Sequence, residues 1–155
     1  MYARLVNRFS ATRAGSWMVR HVAAPLDPIL FKRTNGRFTL TGKPTLPMLA
    51  LTVVGRKSGE PRTVQLAYEA DGDSFLVVAS AMGQERHPAW RYNLEAAGGG
   101  SVQLPGRVVE VTATVLTDDE KAAAWPRIKA TIPQMATYEE RTDRNIRVFR
   151  LTPVS

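Results

Sequence analysis

Closely spaced turn signals are the feature of this chain that most limits its fold. The turns Asp71-Gly72-Asp73 and Pro105-Gly106 separate apolar runs of only a few residues, and residues 55–61 form a third such turn. Strands joined this tightly pair as antiparallel hairpins, because a parallel connection needs a crossover of about a dozen residues or more. We therefore predict an α+β fold, mainly β, arranged as a small closed or half-closed barrel.

The individual elements are predicted from periodicity and capping residues. Apolar runs indicate strands at 46–54, 62–69, 74–80, 101–104, 108–116 and 146–151, with a further short strand around Phe38 and Leu40. Helices are expected at 87–97, from the capping box that starts at Thr117, and at 133–141.

Three details of these elements can be checked directly. The glycines at 98–100 are expected to end the first of these helices, and Pro126 to kink or restart the second. In the strand at 62–69, alternation predicts two faces. They are Val64, Leu66 and Tyr68 on one side, and Thr63, Gln65 and Ala67 on the other.

Composition and charge narrow the classes of partner. The 155 residues suit about one domain, and the net charge of +7 favours nucleic acid, anionic lipid or a polyanionic small molecule. The absence of cysteine excludes thiolate chemistry, and with only two histidines we expect no metal site. No apolar run approaches the ~20 residues of a membrane span, and the N-terminus does not resemble a signal peptide. We therefore expect a cytoplasmic protein, with the inner face of the cell membrane as an alternative location.

Residues 1–30 are predicted to form an amphipathic helical segment. Apolar residues recur at roughly helical spacing from Leu5 to Leu30, with arginines among them. This stripe can pack on the body of the domain, or it can lie on an anionic membrane surface. We therefore divide the chain into this segment and a barrel domain at 31–155, and both interpretations of the segment stay open.

Two polar clusters stand out against this framework. Residues 55–62 place three cations and a serine on a turn that contains two glycines. Such a turn suits a phosphate or a carboxylate, although an ordinary solvated turn has the same composition. Further along, Trp90 and Asn93 lie three apart on one face of a predicted helix, where Trp90 can equally be a core residue.

The order of these clusters resembles that of deazaflavin-dependent nitroreductases. The resemblance is carried by Gly55-Arg56-Lys57-Ser58-Gly59, Val78-Ala79-Ser80, Pro88-x-Trp90-x-x-Asn93-Leu94, Thr117-Asp118, Trp125-Pro126 and Thr142-Asp143-Arg144. It covers about residues 31–151. It implies a split β-barrel of the flavin-reductase and pyridoxamine-phosphate-oxidase type, with an N-terminal helix and a helical lid. It also implies an oxidoreductase that uses coenzyme F-420.

The resemblance assigns this coenzyme to a groove on the barrel. The Arg-Lys-Ser turn would hold its acidic tail, and its ring would lie against one strand, a strand end and the start of a helix. The implied coenzyme-binding residues are Arg56, Lys57, Ser58, Arg62, Thr63, Val64, Gln65, Leu66, Ala67, Val78, Ala79, Ser80, Ala81, Ala89, Trp90, Arg91, Tyr92 and Asn93. The coenzyme supplies the hydride, so the protein's part is orientation and electrostatics.

The resemblance also implies which residues meet the hydride acceptor: a few hydroxyl groups and a helical lid. The implied catalytic residues are Ser80 and Tyr138, and the implied substrate-binding residues are Ile132, Met135 and Tyr138. Met135 stands where the nitroimidazole-activating relative has a tyrosine, Gln65 replaces a proline and His87 an asparagine. We therefore expect a quinone or another conjugated carbonyl acceptor, with nitroaromatic compounds as a further class. His87 is either a proton donor or a cap of the helix start.

Two other functions stay open beside this one. A related barrel could bind F-420 or FMN as a carrier or sensor without turnover. A basic nucleic-acid-binding module is less favoured, because the chain lacks a recognition-helix signature, and we expect no nucleic acid partner. Both a monomer and a homodimer are compatible with the sequence.

Overall fold

A computed structural model describes residues 13–18, 21, 24–40, 44–83 and 86–154. Within these residues the chain forms six strands and five α-helices. In chain order they are α1 (Arg13–Met18), α2 (Ala24–Arg33), β1 (Met48–Val54), β2 (Pro61–Asp71), β3 (Ser74–Val78), α3 (Ala89–Ala97), β4 (Gly99–Leu104), β5 (Arg107–Val115), α4 (Asp118–Thr131), α5 (Gln134–Arg141) and β6 (Val148–Pro153). A single 3-10 turn, Ala81–Gly83, follows β3.

The six strands form a closed barrel in the order β1-β2-β3-β6-β5-β4. Every neighbouring pair is antiparallel, as the short connections require. The barrel closes where β1 pairs with β4, with Ala50 opposite Gln103. The predicted mainly antiparallel barrel is therefore confirmed.

Strand β2 has an open edge, which positions the candidate site. It pairs with β1 through residues 61–67 and with β3 only from Tyr68 to Asp71. Among the described residues, no strand lies on the β3 side of β2 before Tyr68. We call the gap between residues 61–67 and the end of β3 the β2 cleft.

The main-chain groups of alternate β2 residues point into this cleft. The N–H of Tyr68 donates to the Pro47 carbonyl on the β1 side at 3.0 Å. Because successive residues of an antiparallel strand point their N–H and C=O groups to opposite sides, those of Thr63, Gln65 and Ala67 face the cleft. The cleft therefore has a row of backbone donors and acceptors along one wall.

The buried apolar residues form two layers, one inside the barrel and one on its outer surface. The interior is filled by the alternating residues of all six strands, and Val64, Leu66 and Tyr68 pack against it. Ala67 packs instead on the outer layer, which lies between the barrel and the helices α4 and α5. The two predicted faces of β2 are thus confirmed for these residues.

The three glycines at 98–100 have two different roles. Gly98 ends α3 in a left-handed conformation, with φ of 72°, and donates to the Leu94 carbonyl at 2.8 Å. The helix ends at these glycines as predicted, but only Gly98 caps it, because Gly99 and Gly100 belong to β4. A Cβ on Gly99 would lie 2.3 Å from the Val111 oxygen, and one on Gly100 would lie 2.5 Å from the Thr52 oxygen. Only glycine permits this close approach of the strands.

Helix α4 begins at the predicted capping box and continues through Pro126. The Thr117 hydroxyl accepts from the Glu120 N–H at 3.2 Å, and the Glu120 carboxylate accepts from the Thr117 N–H at 3.1 Å. Of the two outcomes predicted at Pro126, a kink or a restart, the restart is wrong, because α4 is one helix to Thr131. Pro126 is exposed, while Trp125 and Ile128 on either side of it are buried and hold the helix in place.

The predicted short strand around Phe38 and Leu40 is reduced to a single β-bridge residue, Thr39. On either side of Thr39, side chains supply the backbone partners that a sheet would otherwise supply. The Thr34 hydroxyl accepts from the Phe38 N–H at 3.0 Å, and an Asp27 carboxylate oxygen accepts from the Leu40 N–H at 2.6 Å. The alternating apolar pattern therefore does not form a regular strand here.

The proposed division at residue 30 falls inside α2. This helix runs from Ala24 to Arg33, and Phe31 within it is completely buried. The part of the N-terminal segment before Arg13 lies outside the described residues. Within the residues that are described, no helix has the length and apolar character needed to cross a membrane.

Candidate active site

The turn between β1 and β2 is held in one shape by its own hydrogen bonds. The N–H of Gly55 donates to the Glu60 carbonyl at 2.8 Å, and that of Gly59 donates to the Gly55 carbonyl at 2.8 Å. The Ser58 hydroxyl accepts from the Glu60 N–H at 3.2 Å. Arg56, Lys57 and Ser58 are exposed at its tip. We call residues 55–60 the cation turn, because it presents two cations to solvent on a fixed backbone.

The cation turn is joined directly to helix α3. The Asn93 side-chain oxygen accepts from the Arg56 N–H at 3.1 Å. The Arg56 guanidinium carbon lies 5.0 Å from the centre of the Tyr92 ring, and that of Arg91 lies 5.1 Å from the same ring. The two polar clusters of the sequence therefore form one surface, although Asn93 uses its oxygen to hold the turn.

The remaining predicted residues of α3 divide between the core and the surface. Trp90 packs on the barrel interior, with its ring centre 5.8 Å from that of Phe149. Arg91 forms an ion pair with Glu95 at 2.9 Å, and Ala89 is exposed. Trp90 thus has the packing role that the sequence had left open.

The predicted residues of β2 differ in what they present to the cleft. Arg62 is exposed beside the cation turn, and the Thr63 hydroxyl lies 2.8 Å from that of Thr52. Val64 and Leu66 point their side chains into the barrel, and their main-chain groups face β1. The side-chain Nε2 of Gln65 is buried and has no hydrogen-bond partner among the described residues.

The far wall of the cleft is the end of β3. Val78 and Ala79 are buried, and Ser80 is 8% exposed. The Ala79 N–H donates to the Arg147 carbonyl at 2.9 Å, and the Gly83 N–H donates to the Ser80 carbonyl at 2.9 Å. Ala81 has a φ of 46°, which is uncommon for a residue with a side chain. The strand therefore ends in a tight, strained turn at Ser80.

Arg144 holds this wall in place, and the sequence had not singled it out as a site residue. Its Nη1 donates to the Ala79 carbonyl at 3.0 Å, and its Nη2 donates to the Ser80 carbonyl. The same Nη1 lies 3.1 Å from the Nδ1 of His87. Its place in the Thr142-Asp143-Arg144 match was the only sequence signal for Arg144. That signal does not indicate its partners, which are far away in the sequence.

The contact with Arg144 defines which ring nitrogen of His87 carries the proton. A guanidinium can only donate, so the His87 Nδ1 accepts and the ring proton lies on Nε2. Burial lowers the pKa of His87, and the positive charges of Arg91, Arg144 and Arg147 lower it further. The ring is neutral and meets Tyr92 edge-on at 6.2 Å. Helix α3 has no side-chain cap, so the prediction that His87 caps it is wrong.

The predicted lid residues lie at the end of α4 and on α5. Ile132 and Met135 are 2% and 6% exposed and belong to the outer apolar layer. Tyr138 is half-buried, and this burial raises the pKa of its hydroxyl, while the Arg141 charge near its ring opposes the shift. A Cβ on Gly83 would lie 2.7 Å from the Tyr138 carbonyl oxygen. Helix α5 therefore packs directly on the turn that follows Ser80.

Comparisons with known proteins agree on one family. Residues 27–153 match the family described as F-420H(2)-dependent quinone reductase. An F-420H(2)-dependent quinone reductase from Mycobacterium tuberculosis is 35% identical over 144 residues, which is 88% of this chain and 95% of the relative. A solved F-420-H2-dependent reductase superposes with a TM-score of 0.63 at 34% identity, covering 68% of this chain and 93% of its own.

A more distant structure supports the fold alone. A pyridoxamine 5'-phosphate oxidase structure from Listeria innocua superposes with a TM-score of 0.50 at 11% identity, covering 70% of this chain and 85% of its own. The predicted split barrel of the pyridoxamine-phosphate-oxidase type is confirmed by this likeness and by the strand order.

Proposed function

The chain belongs to the F-420H(2)-dependent quinone reductase family, and we propose that it transfers a hydride from reduced F-420 to a quinone. The observation that carries this proposal is the β2 cleft, with the cation turn at one end and Ser80 at the other. A flat ring with an acidic tail matches both the backbone wall of the cleft and its charged end. The family description names F-420 and not FMN, so F-420 is the cofactor we retain.

The cation turn would hold the acidic part of the coenzyme. Arg56 and Lys57 point to solvent from a backbone fixed by the Gly55–Glu60 and Asn93 hydrogen bonds. A fixed backbone reduces the entropy that binding would otherwise lose. Arg62 lies at the start of β2 beside the turn and would extend the cationic surface.

The β2 cleft would orient the ring. The main-chain groups of Thr63, Gln65 and Ala67 face the cleft, and they can pair with the polar edge of a heterocycle. When bound, the coenzyme supplies the hydride, and the protein supplies its orientation. Arg144 would keep the opposite wall at Ser80 at a constant distance by holding two carbonyls.

Three groups on the wall at Ser80 could donate a hydrogen bond or a proton to the acceptor. Reduction of a quinone to a hydroquinone takes one hydride and one proton, so an O–H or N–H must lie near the acceptor oxygen. Ser80 and Tyr138 are the hydroxyls we assign to this role, and the raised pKa of Tyr138 keeps it protonated. The Nε2–H of His87 is a third donor on the same wall. Ile132 and Met135 would support Tyr138 from the apolar layer behind it.

Other acceptors fit the same chemistry. Enones and nitroaromatic compounds also accept a hydride at an electron-poor carbon or nitrogen and bear oxygen atoms for the same donors. A carrier that binds F-420 without turnover is the competing function. It requires the coenzyme site but not the acceptor donors at Ser80 and Tyr138.

A spectroscopic assay separates these functions. Purified protein is mixed with reduced F-420, and the absorbance of the oxidised deazaflavin is followed after addition of quinones, enones and nitroaromatics. We expect a quinone-dependent rate that falls at least tenfold in the double variant Ser80→Ala, Tyr138→Phe while F-420 still binds. Tight F-420 binding without turnover on any acceptor would instead identify a carrier.

We also propose that the N-terminal part of the chain touches anionic membranes. Leu26 and Ile29 on α2 are about half exposed, and Lys32 and Arg33 on the same helix are exposed cations. Exposed apolar and cationic side chains on one helix suit a membrane surface. A quinone that is dissolved in the bilayer would then be available to the enzyme.

A further inference from the structure

A second cavity lies beside the β2 cleft, and its lining residues belong neither to the cation turn nor to the wall at Ser80. It holds about 440 Å³, within the size range of small-molecule sites, and its walls include Phe31, Phe38, Pro47, Tyr68 and Pro105. We call it the apolar cavity. Of the described residues in its wall only Arg37 is charged, and this side chain is exposed.

A smaller cavity connects it to β2. This cavity holds about 140 Å³ and is lined in part by Asp27, Thr39 and Gln65. It shares Pro44, Leu46 and Met48 with the apolar cavity. The shared residues place the two cavities next to each other, and we call them together the groove, which runs from Gln65 at the β2 cleft to Pro105.

Gln65 gives this groove a polar end. Its Nε2 is buried without a hydrogen-bond partner among the described residues, and a buried donor left unpaired is unfavourable. A ligand carbonyl would satisfy it. The main chain of Gln65 faces the β2 cleft while its side chain lines the groove, so a carbonyl bound there would lie next to the proposed coenzyme ring.

On the basis of the proposed function, we propose that this groove binds the acceptor, with a quinone carbonyl on the Gln65 amide and a hydrocarbon tail in the apolar cavity. The charges in the groove favour a neutral occupant. Asp27 lines the same end as Gln65, and its carboxylate would repel the headgroup of a fatty acid. A prenylated quinone is neutral, has carbonyls at one end and is apolar at the other.

The wall of the apolar cavity offers a matched pair of variants. Phe38 is 49% exposed and lines the cavity, whereas Leu40 is 48% exposed and does not line it. Phe38→Ala removes a wall, and Leu40→Ala removes an equally exposed apolar side chain elsewhere. A third variant, Pro44→Trp, obstructs the junction of the two cavities. Thermal melts verify that each variant is folded.

The test compares a prenylated naphthoquinone with its methyl-only counterpart. We expect Phe38→Ala to raise the KM for the prenylated compound about three- to tenfold and to leave the methyl-only compound unchanged. Leu40→Ala should change neither, and Pro44→Trp should abolish the preference for the prenylated compound. Gln65→Leu should raise the KM for both quinones. Equal effects of Phe38→Ala on the two quinones, or an effect of Gln65→Leu on F-420 affinity alone, would overturn the assignment.

A binding measurement tests the groove independently of turnover. Farnesol, which has the tail but no quinone ring, should raise the Tm of the wild type and of Leu40→Ala, but not that of Pro44→Trp. A larger shift with a fatty acid than with farnesol, or an equal shift in Pro44→Trp, refutes the tail site. If farnesol binds as expected but no quinone is reduced, the proposed function fails and the hydrocarbon site stands.

Discussion

At the level of single residues, the two cations of the cation turn differ in their surroundings. The Arg56 guanidinium lies over the Tyr92 ring, and its N–H is bound by Asn93, so it is part of the framework of the site. Lys57 is exposed at the tip. Truncation of Lys57 should therefore affect ligand binding without affecting the fold.

We predict that Lys57→Ala raises the Kd for F-420 about fivefold and leaves the Tm nearly unchanged. The loss corresponds to one charge-assisted contact in a solvated setting, and it should shrink as salt is added. Lys32→Ala, on α2, is the control, because Lys32 is also exposed but lies away from the turn. Titration of the coenzyme at low and high salt measures both effects, and unchanged affinity in Lys57→Ala would remove the turn from the site.

The neutral His87 makes stability depend on pH. Its pKa is lowered in the folded protein, so below about pH 6.5 the unfolded chain binds a proton that the folded chain resists. Stability is therefore fully present above that pH and falls as the pH drops towards the lowered pKa. We expect His87→Gln to flatten this part of a plot of Tm against pH. An equally steep fall in His87→Gln would show that other groups cause it.

At the level of elements, Arg144 joins the wall at β3 to the start of α3. Its guanidinium bonds two consecutive carbonyls and a histidine nitrogen, which a lysine ammonium cannot do in the same plane. We predict that Arg144→Lys lowers the free energy of unfolding by about 1–3 kcal/mol, because the buried Ala79 carbonyl loses its planar partner.

A second variant, Arg144→Gln, has an effect that a purely structural role would not produce. It takes one positive charge away from His87, so the pKa of His87 should rise. The acidic limb of the rate profile should then move to higher pH. Arg107→Lys and Arg107→Gln, exposed changes on β5, are the matched controls and should alter neither stability nor the profile. A lower stability with an unmoved profile would limit Arg144 to a packing role.

Local signals in the sequence predicted these elements well, and long-range partners were not predictable. The turns at 71–73 and 105–106 and the Thr117 capping box depend on neighbouring residues, and all three are present. Arg144 binds groups 64 and 65 residues away, which no local pattern indicates. A regular strand was predicted at 38–40 for a similar reason: the backbone partner of Leu40 is Asp27, which lies 13 residues before it. The role of Gly100 was not predictable, because it depends on the neighbouring strand β1.

At the level of the whole molecule, the charge of the chain is unevenly distributed. The first 23 residues contain four arginines and no acidic residue. The cation turn lies on the barrel, between β1 and β2, and is not part of this N-terminal stretch. The positive charge thus has two candidate uses, the coenzyme and a membrane surface, and these can be tested separately.

We predict that removal of residues 1–23 weakens sedimentation with anionic vesicles and spares F-420 binding. This truncation leaves α2 intact, and with it the buried Phe31, so the barrel keeps its packing. Each arginine near an anionic surface contributes about 1 kcal/mol, so the loss should be large at low salt and small at high salt. A full-length variant with the four arginines changed to glutamine separates charge from apolar contact. Equal sedimentation of the truncated and full-length proteins would mean that residues 1–23 do not bind the membrane, and that Leu26 and Ile29 are the remaining candidates.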